Sequence, residues 1–109
     1  MVSKVLVANR GEIACRILRA CREAGLASVA IFAENDSKSL FVELADQAVQ
    51  LQGDSITSTY LNQEQILKIA ATSGCDAVHP GFGFLSERAD FARAVTQAGI
   101  QWIGPSPSA

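Results

Sequence analysis

The sequence predicts an α/β fold of three layers, in which a mostly parallel sheet of about five strands carries helices on both faces. Short apolar runs alternate with stretches of helical periodicity along the chain. Three times a helical pattern ends at a glycine that an apolar strand follows, at Gly25, Gly74 and Gly99. Repeated strand and helix units of this kind form parallel sheets with helices on both sides.

The composition indicates one compact domain of 109 residues, of which 49% are hydrophobic. The net charge of -2 offers no basic surface for nucleic acid. No apolar run is long enough to cross a membrane, and no signal-peptide pattern precedes the first strand. We therefore expect neither a nucleic-acid nor a membrane partner, and a cytoplasmic location with the mitochondrial matrix as the alternative.

The first strand is predicted at residues 4–8, an apolar run typical of a central strand that is buried on both faces. A turn at residues 9–12 leads to a helix that begins at Ile13 and ends before Gly25. The next predicted elements are a strand at residues 28–33, a short helix at residues 40–45 and a strand at residues 48–51.

The first helix has two different faces in its sequence pattern. The predicted buried face consists of Ile13, Ile17, Ala20, Cys21 and Ala24. A charged stripe on the opposite side consists of Glu12, Arg16, Arg19 and Glu23. The spacing favours a solvated face with weak ion pairs over the alternative, a polar contact between subunits.

The second half of the chain contains two more helices and two more strands. Asn62 is predicted to cap a helix, with Gln65 placed three residues on as in a capping box. A strand at residues 76–78 follows, and Ser86 is expected to cap the last helix. That helix ends at Gly99 before a strand at residues 100–103.

The loop that follows the fourth strand is the strongest candidate for a site. Residues 79–87 read His-Pro-Gly-Phe-Gly-Phe-Leu-Ser-Glu. Gly81 and Gly83 allow a ligand to approach the main chain, and such loops face outward at the carboxyl ends of parallel strands. The alternation of Phe82 and Phe84 is compatible with one ring in the core and one over the site, although aromatic pairs more often belong to a core than to a ligand platform. Glu87 is expected in the first turn of the last helix.

His79, at the start of this loop, is either a hydrogen-bonded residue at the strand end or a proton shuttle. The residue pattern favours the first of these roles over the second.

The residues exclude the common nucleotide motifs. The first strand-to-helix turn has a single glycine, Gly11, and the loop at residues 79–87 lacks the ending of a P-loop. Glu34 and Asp36 follow the second strand, as a ribose-binding acid would, but such acids are common there. The residues alone therefore indicate a ligand-binding α/β domain whose site is incomplete.

The three cysteines are odd in number in a chain with no secretion signal, which argues against a disulfide framework. Their spacing does not predict a metal site, so we expect small buried hydrophobic residues. They are Cys15, Cys21 and Cys75.

Four motifs, in this order along the chain, resemble the N-terminal domain of biotin carboxylase. They are KVLVANRGEIA with RILRA at residues 4–14 and 16–20, Tyr-Leu at residues 60–61, HPGFGFLSE at residues 79–87 and Ile-Gly-Pro at residues 103–105. The resemblance covers residues 1–109, and it implies a Rossmann-like fold of the kind called pre-ATP-grasp.

This resemblance implies an ATP-dependent ligase. Family members use MgATP, with Mg²⁺ or Mn²⁺, and bicarbonate to carboxylate biotin on a carrier protein or domain, and a carboxyltransferase then chooses the acyl acceptor. The ATP-grasp domain that holds the nucleotide and metal follows the N-terminal domain in the family. We therefore expect residues 1–109 to be inactive alone.

The resemblance also implies roles for particular residues. Gly81, Phe82, Gly83 and Glu87 would face biotin and bicarbonate, with Phe82 standing where the family usually has tyrosine. Arg16, Arg19 and Glu23 would lie at the contact of a homodimer. The alternative is a free-standing interaction or regulatory domain that keeps the fold and the dimer helix without catalysis.

Overall fold

The computed structural model describes residues 2–104, which form a five-stranded sheet between two layers of helices. The strands are β1 (Lys4–Val7), β2 (Ala27–Phe32), β3 (Gln47–Gln50), β4 (Ala77–His79) and β5 (Gln101–Trp102). The helices are α1 (Gly11–Glu23), α2 (Leu40–Leu44), α3 (Gln63–Thr72) and α4 (Ala89–Gln97), and a single 3-10 turn lies at Glu34–Asp36. The predicted fold class is confirmed. Pro105 of the last motif lies outside the described residues.

All four strand pairs are parallel, and the order across the sheet is β3-β2-β1-β4-β5. β1 is the central strand, as predicted, and its Val5, Leu6 and Val7 are fully buried. The strand order reverses at the boundary between β1 and β4. Open α/β sheets bind their ligands at such a switch point, beyond the carboxyl ends of the strands.

Two hydrophobic cores lie on opposite faces of the sheet, because successive side chains of β1 point to opposite sides. Leu6 packs with α3 and α4 through residues such as Ile66 and Phe91. Val5 and Val7 pack with α1 and α2 through residues such as Leu18 and Phe41. The three cysteines are free and buried within these cores, as the sequence predicts.

The predicted buried face of α1 is wrong except for Cys21. The side chains that α1 buries against the sheet are those of Ala14, Cys15, Leu18 and Cys21. The small Ala14 and Cys15 let the helix pack closely on β1, which large side chains at those positions would prevent. Ile13 and Ile17 are only partly buried and lie against Gly81 of the loop after β4, with Ile17 also at the edge of this core.

The predicted N-cap of α3 is confirmed, but the capping box is not formed. Asn62 Oδ1 accepts a hydrogen bond from the Gln65 N–H at 3.1 Å. The Gln65 side chain does not return to Asn62, as a capping box would require, but bonds to both main-chain groups of Gln52. Gln65 therefore ties α3 to the loop after β3.

Ser86 does not cap the last helix, and Glu87 does not lie in its first turn. α4 begins at Ala89, and Arg88 stands at the cap position without a side-chain cap bond. Ser86 is buried in a turn in which its N–H donates to the Gly83 carbonyl at 2.9 Å. This turn uses the residues that the sequence pattern assigned to the helix, so the loop after β4 extends over residues 80–88.

The three glycines predicted to end helices do so. Gly25, Gly74 and Gly99 each have a positive φ, between 72° and 80°, and each follows the C-cap residue of α1, α3 or α4. Across residues 2–104, no helix combines the length and the apolar character that crossing a bilayer requires.

Candidate functional site

The candidate site lies at the switch point of the sheet, where the turn after β1 meets the loop after β4. The Ala8 N–H donates to the His79 carbonyl at 2.9 Å and holds the two segments together beyond the strands. Since β1 and β4 are neighbours in the sheet, residues 8–10 and 80–88 face the same edge.

The four residues predicted to face a substrate converge on one cleft of about 420 Å³. Gly81, Phe82, Gly83 and Glu87 line it, together with His79, Ser86, Ile103 and Gly104. The structure thus brings together the predicted residues of the loop. They lie between β4 and α4 and belong to neither element. Their chemical roles stay a prediction.

Gly81 and Gly83 differ in what requires them. Both have left-handed φ angles, of 67° and 70°, which glycine adopts without strain. A Cβ on residue 81 would lie 2.8 Å from Asn9 Nδ2 and 2.8 Å from Ile13 Cγ2, whereas a Cβ on residue 83 would meet nothing within 4 Å. Gly81 therefore allows the loop to pack on α1, and Gly83 leaves open space in front of the main chain.

Phe82 and Phe84 lie on opposite sides of the loop, as the alternation predicts. Phe82 is 71% exposed and presents its ring to the cleft. Phe84 packs on Tyr60 with the ring centroids 5.5 Å apart, and its φ of 49° is unusual for a residue with a side chain. The loop is thus held by one aromatic ring and leaves the other exposed in the cleft.

His79 is the hydrogen-bonded residue at the strand end that the sequence favours. Its Nδ1 accepts a hydrogen bond from the Gly81 N–H at 3.1 Å, which requires this nitrogen to be unprotonated. Burial lowers the pKa of His79 and so favours the neutral imidazole. The neutral form of His79 therefore holds the start of the loop through this hydrogen bond.

Asn9, at the end of β1, is a residue of the site that the sequence analysis missed. Its Nδ2 donates to the carbonyls of Pro80 and Phe82, both at 2.8 Å. Its Oδ1 accepts from the Arg10 N–H at 2.8 Å, and the residue is 1% exposed. An asparagine directly after the central strand was the available signal, because that position lies at the switch point.

Arg10 and Asp36 form a bidentate ion pair beside the site. Arg10 Nε and Nη2 donate to the two carboxylate oxygens of Asp36 at 2.7 and 2.6 Å. Tyr60 donates its hydroxyl to Asp36 Oδ2 at 2.6 Å, and that hydroxyl accepts from the Ala33 N–H. Asp36, which the sequence allowed as a ribose ligand, is thus already bound by two side chains of the chain.

The pKa values of this group follow from its contacts. The hydrogen bonds from Arg10 lower the pKa of Asp36, and the same contact raises the pKa of Arg10. Burial, with the neighbouring Asp36 carboxylate, raises the pKa of Tyr60 to about 12. The ion pair and the neutral phenol are therefore stable at neutral pH, and they fix the turn after β1 relative to β2.

Arg16, Arg19 and Glu23 do not line the cleft of the glycine loop. They are exposed on α1, and within the part of the chain that the structure describes none of them forms an ion pair. Arg16 borders an adjoining apolar groove beside Ile17 and Ala20. The charged stripe is thus exposed, as a solvated face would be, but within residues 2–104 its charges do not form the weak ion pairs predicted with that face.

The described residues do not assemble a metal site. Over residues 2–104, no group of three or more His, Cys, Asp or Glu side chains is placed to hold a metal ion. A phosphate-binding P-loop is also absent from the sequence. The cleft thus offers main-chain groups, an aromatic ring, the imidazole of His79, the hydroxyl of Ser86 and one carboxylate, Glu87.

The family described as "Biotin carboxylase, N-terminal domain" matches residues 1–109. The chain is similar to the biotin-dependent acyl-coenzyme A carboxylase alpha3 subunit of Mycobacterium leprae, with 57% identity over 97% of this chain and 18% of that protein. It is also similar to biotin carboxylase 1 of Bacillus subtilis, with 46% identity over 100% of this chain and 24% of that protein.

A solved structure with a similar fold is the biotin carboxylase domain dimer of the Hydrogenobacter thermophilus 2-oxoglutarate carboxylase, in complex with MgADP, ADP and bicarbonate. The TM-score is 0.93 and the identity 49%, over 99% of this chain and 24% of that one. The chain spans a quarter or less of the length of all three of these proteins.

The different surroundings of the two glycines predict different costs of adding one methyl group. Gly83→Ala should destabilise the fold by about 1 kcal/mol, because only the left-handed backbone opposes it. Gly81→Ala should cost about 2–4 kcal/mol, since the new methyl group also collides with Asn9 and Ile13. Urea denaturation of both variants measures the difference, and equal costs would show that the packing on α1 is loose.

The hydrogen bond to His79 Nδ1 predicts a pH dependence of stability. Because the pKa of His79 is lowered in the folded state, the unfolded state binds the proton more readily. The stability is then complete above the unfolded pKa of about 6.5 and falls as the pH drops toward the folded value.

His79→Asn is the matched variant, because its amide oxygen replaces Nδ1 as acceptor and cannot be protonated. Thermal unfolding at pH 7.5 and 5.5 should show a larger loss of Tm in the wild type than in this variant. The same loss in both proteins would contradict a role for His79 in the acid response.

Proposed function

This chain belongs to the family of biotin carboxylase N-terminal domains, and from that premise we propose that it forms the biotin-facing wall of a biotin-dependent carboxylase. The intact protein would use MgATP and bicarbonate to carboxylate biotin on a carrier protein or domain. A carboxyltransferase would then pass the carboxyl group to an acceptor that it selects. A cytoplasmic location, with the mitochondrial matrix as the alternative, is part of the proposal.

The observation that supports this role most strongly is the chemistry of the cleft at Phe82. The ureido ring of biotin is flat and neutral, and it suits an aromatic face together with hydrogen-bonding groups. Phe82 supplies the exposed face, and within residues 2–104 no acceptor pairs with the N–H groups of Phe82 and Gly83. Glu87 supplies an acceptor on the same wall.

The nucleotide and the metal ion would be held elsewhere in the intact protein. The described residues contain neither a phosphate loop nor a metal cluster, so they do not fit MgATP. A related biotin carboxylase domain has been solved with MgADP and bicarbonate, and this chain covers 24% of it. We therefore propose that residues 1–109 do not turn over alone and that the pocket is completed by other domains.

The exposed stripe on α1 would form part of a homodimer contact. Arg16, Arg19 and Glu23 point away from the cores and have no ion-pair partner within residues 2–104. Charges that the fold leaves unpaired are available to a second subunit, and the related domain from Hydrogenobacter thermophilus is a dimer.

Removing the exposed ring should weaken biotin binding without affecting the fold. In the intact protein, Phe82→Ala should raise the KM for free biotin about five- to tenfold, since one aromatic stacking contact is worth roughly 1 kcal/mol. Phe82→Tyr is the matched control, because it keeps the ring, and it should leave this KM nearly unchanged.

Bicarbonate- and biotin-dependent ATP cleavage is the assay for both variants. An unchanged KM in Phe82→Ala would remove the ring from the biotin site. A wild-type protein whose ATP cleavage does not respond to biotin would contradict the proposed function itself.

Reversing a charge on the stripe should weaken the dimer. Arg19→Glu in the intact protein should raise the dimer dissociation constant at least tenfold, because it places a like charge beside Glu23 or its counterpart. Lys68→Glu, an equal charge change at an exposed position of α3 in the other helix layer, should leave dimerisation unchanged. Analytical ultracentrifugation measures the dimer. If Arg19→Glu still sediments entirely as a dimer, the stripe lies outside the contact.

A further inference from the structure

We infer that Asn9 is a positioning residue for the biotin-facing loop. This inference rests on the proposed function, because it assigns the order of the loop to the biotin site. Asn9 lies on the turn after β1 and bonds to the main chain of the loop, and it does not line the cleft of Phe82 and Gly83. It therefore acts through the loop's main chain, with no contact to the substrate.

The hydrogen bonds of Asn9 determine how its amide is oriented. The Arg10 N–H can only donate, so the atom facing it at 2.8 Å is the amide oxygen. The nitrogen then faces the carbonyls of Pro80 and Phe82, and its two hydrogens match these two acceptors. Within residues 2–104, no buried side-chain nitrogen or oxygen lacks a partner.

The two carbonyls belong to peptide groups on either side of the Gly81–Phe82 link. In a trans peptide the carbonyl and the following N–H point in opposite directions, and no cis bond occurs among the described residues. Holding the Phe82 carbonyl toward Asn9 therefore directs the Gly83 N–H away from Asn9. Holding the Pro80 carbonyl fixes the peptide whose Gly81 N–H donates to His79.

The loop needs such a hold because its own conformation is unfavourable. Gly81, Gly83 and Phe84 all have left-handed φ angles, and Phe84 bears a side chain. Residues in this region keep their geometry only when their surroundings over-determine it. Asn9 fixes the first part of the loop, and the contact of Phe84 with Tyr60 fixes the second.

Asn9 is itself fixed by the neighbouring ion pair. Its oxygen bonds to the main chain of Arg10, whose side chain is bound by Asp36 in two hydrogen bonds. Asp36 in turn accepts the Tyr60 hydroxyl. The chain of contacts runs from β2 through the turn after β1 to the glycine loop, so the loop geometry is set by the sheet.

The test uses two variants of Asn9 and one control in the intact protein. Asn9→Ala removes all three hydrogen bonds, whereas Asn9→Asp keeps the size and the acceptor for Arg10 but replaces the donor. Ser28→Ala is the control, because Ser28 is also buried and bonds to Asp46 through its hydroxyl, at the opposite end of the sheet. Circular dichroism establishes which variants fold. If Asn9→Asp does not fold, Asn9→Ala alone is sufficient for the test.

The first readout is amide hydrogen exchange, which does not depend on activity. In both Asn9 variants, exchange in a peptide covering residues 79–88 should accelerate at least tenfold. The loop is then no longer held in one conformation, so the N–H groups of Gly81 and Ser86 lose the hydrogen bonds that protect them. Exchange in β2 of both Asn9 variants should match that of the wild type. Unchanged exchange over residues 79–88 would overturn the inference.

The second readout separates positioning from general destabilisation. In Asn9→Ala the KM for free biotin should rise about tenfold, while the KM for ATP stays within twofold. In Ser28→Ala the KM for biotin should not change relative to the KM for ATP. Equal rises for both substrates, or a loosened loop with an unchanged KM for biotin, would overturn the assignment. If the wild type shows no biotin-dependent ATP cleavage, the proposed function fails and hydrogen exchange alone decides whether Asn9 holds the loop.

Discussion

The parallel pairing of β1 with β4 is the constraint on which the candidate site depends. Val5 pairs with Ala77 and Val7 with His79, across more than seventy residues of sequence. This pairing places the turn after β1 beside the loop after β4, at the point where the strand order reverses. Without it, Asn9 could not reach the carbonyls that it holds, and the glycine loop would have no support on its inner side.

The glycine loop shows how one short segment meets two opposite requirements. Its inner side has to pack on α1, and Gly81 allows this because a Cβ there would collide with Asn9 and Ile13. Its outer side lines the cleft, and Gly83 leaves open space there where a Cβ would stand. The two aromatic residues divide in the same way, with Phe84 packed on Tyr60 and Phe82 exposed in the cleft.

The ion pair between Arg10 and Asp36 is the electrostatic support of this arrangement. A partly buried ion pair stabilises a fold only when its geometry is good and its remaining groups are bonded. Here two parallel hydrogen bonds join the charges, and Tyr60 donates to the carboxylate while it accepts from the Ala33 main chain. The group links β2, the turn after β1 and the residue on which Phe84 packs, so it gives the loop a rigid base.

The sequence by itself determined the fold class, the central position of the first strand and the ends of three helices. These features follow from local periodicity and from glycines that adopt left-handed angles, so each depends on residues that are close in sequence. It also identified the glycine loop, whose residues Gly81, Phe82, Gly83 and Glu87 line one cleft. The family motifs then gave those residues an expected chemistry.

Only the tertiary structure decided which face of α1 is buried, where α4 begins and what holds the loop. α1 carries two apolar stripes, and close packing of Ala14 and Cys15 on the sheet selected one of them. Ser86 could cap a helix, but the turn bonded to Gly83 competes for the same residues. Asn9 and Asp36 act through partners distant in sequence, and only the folded sheet brings those partners within hydrogen-bond reach.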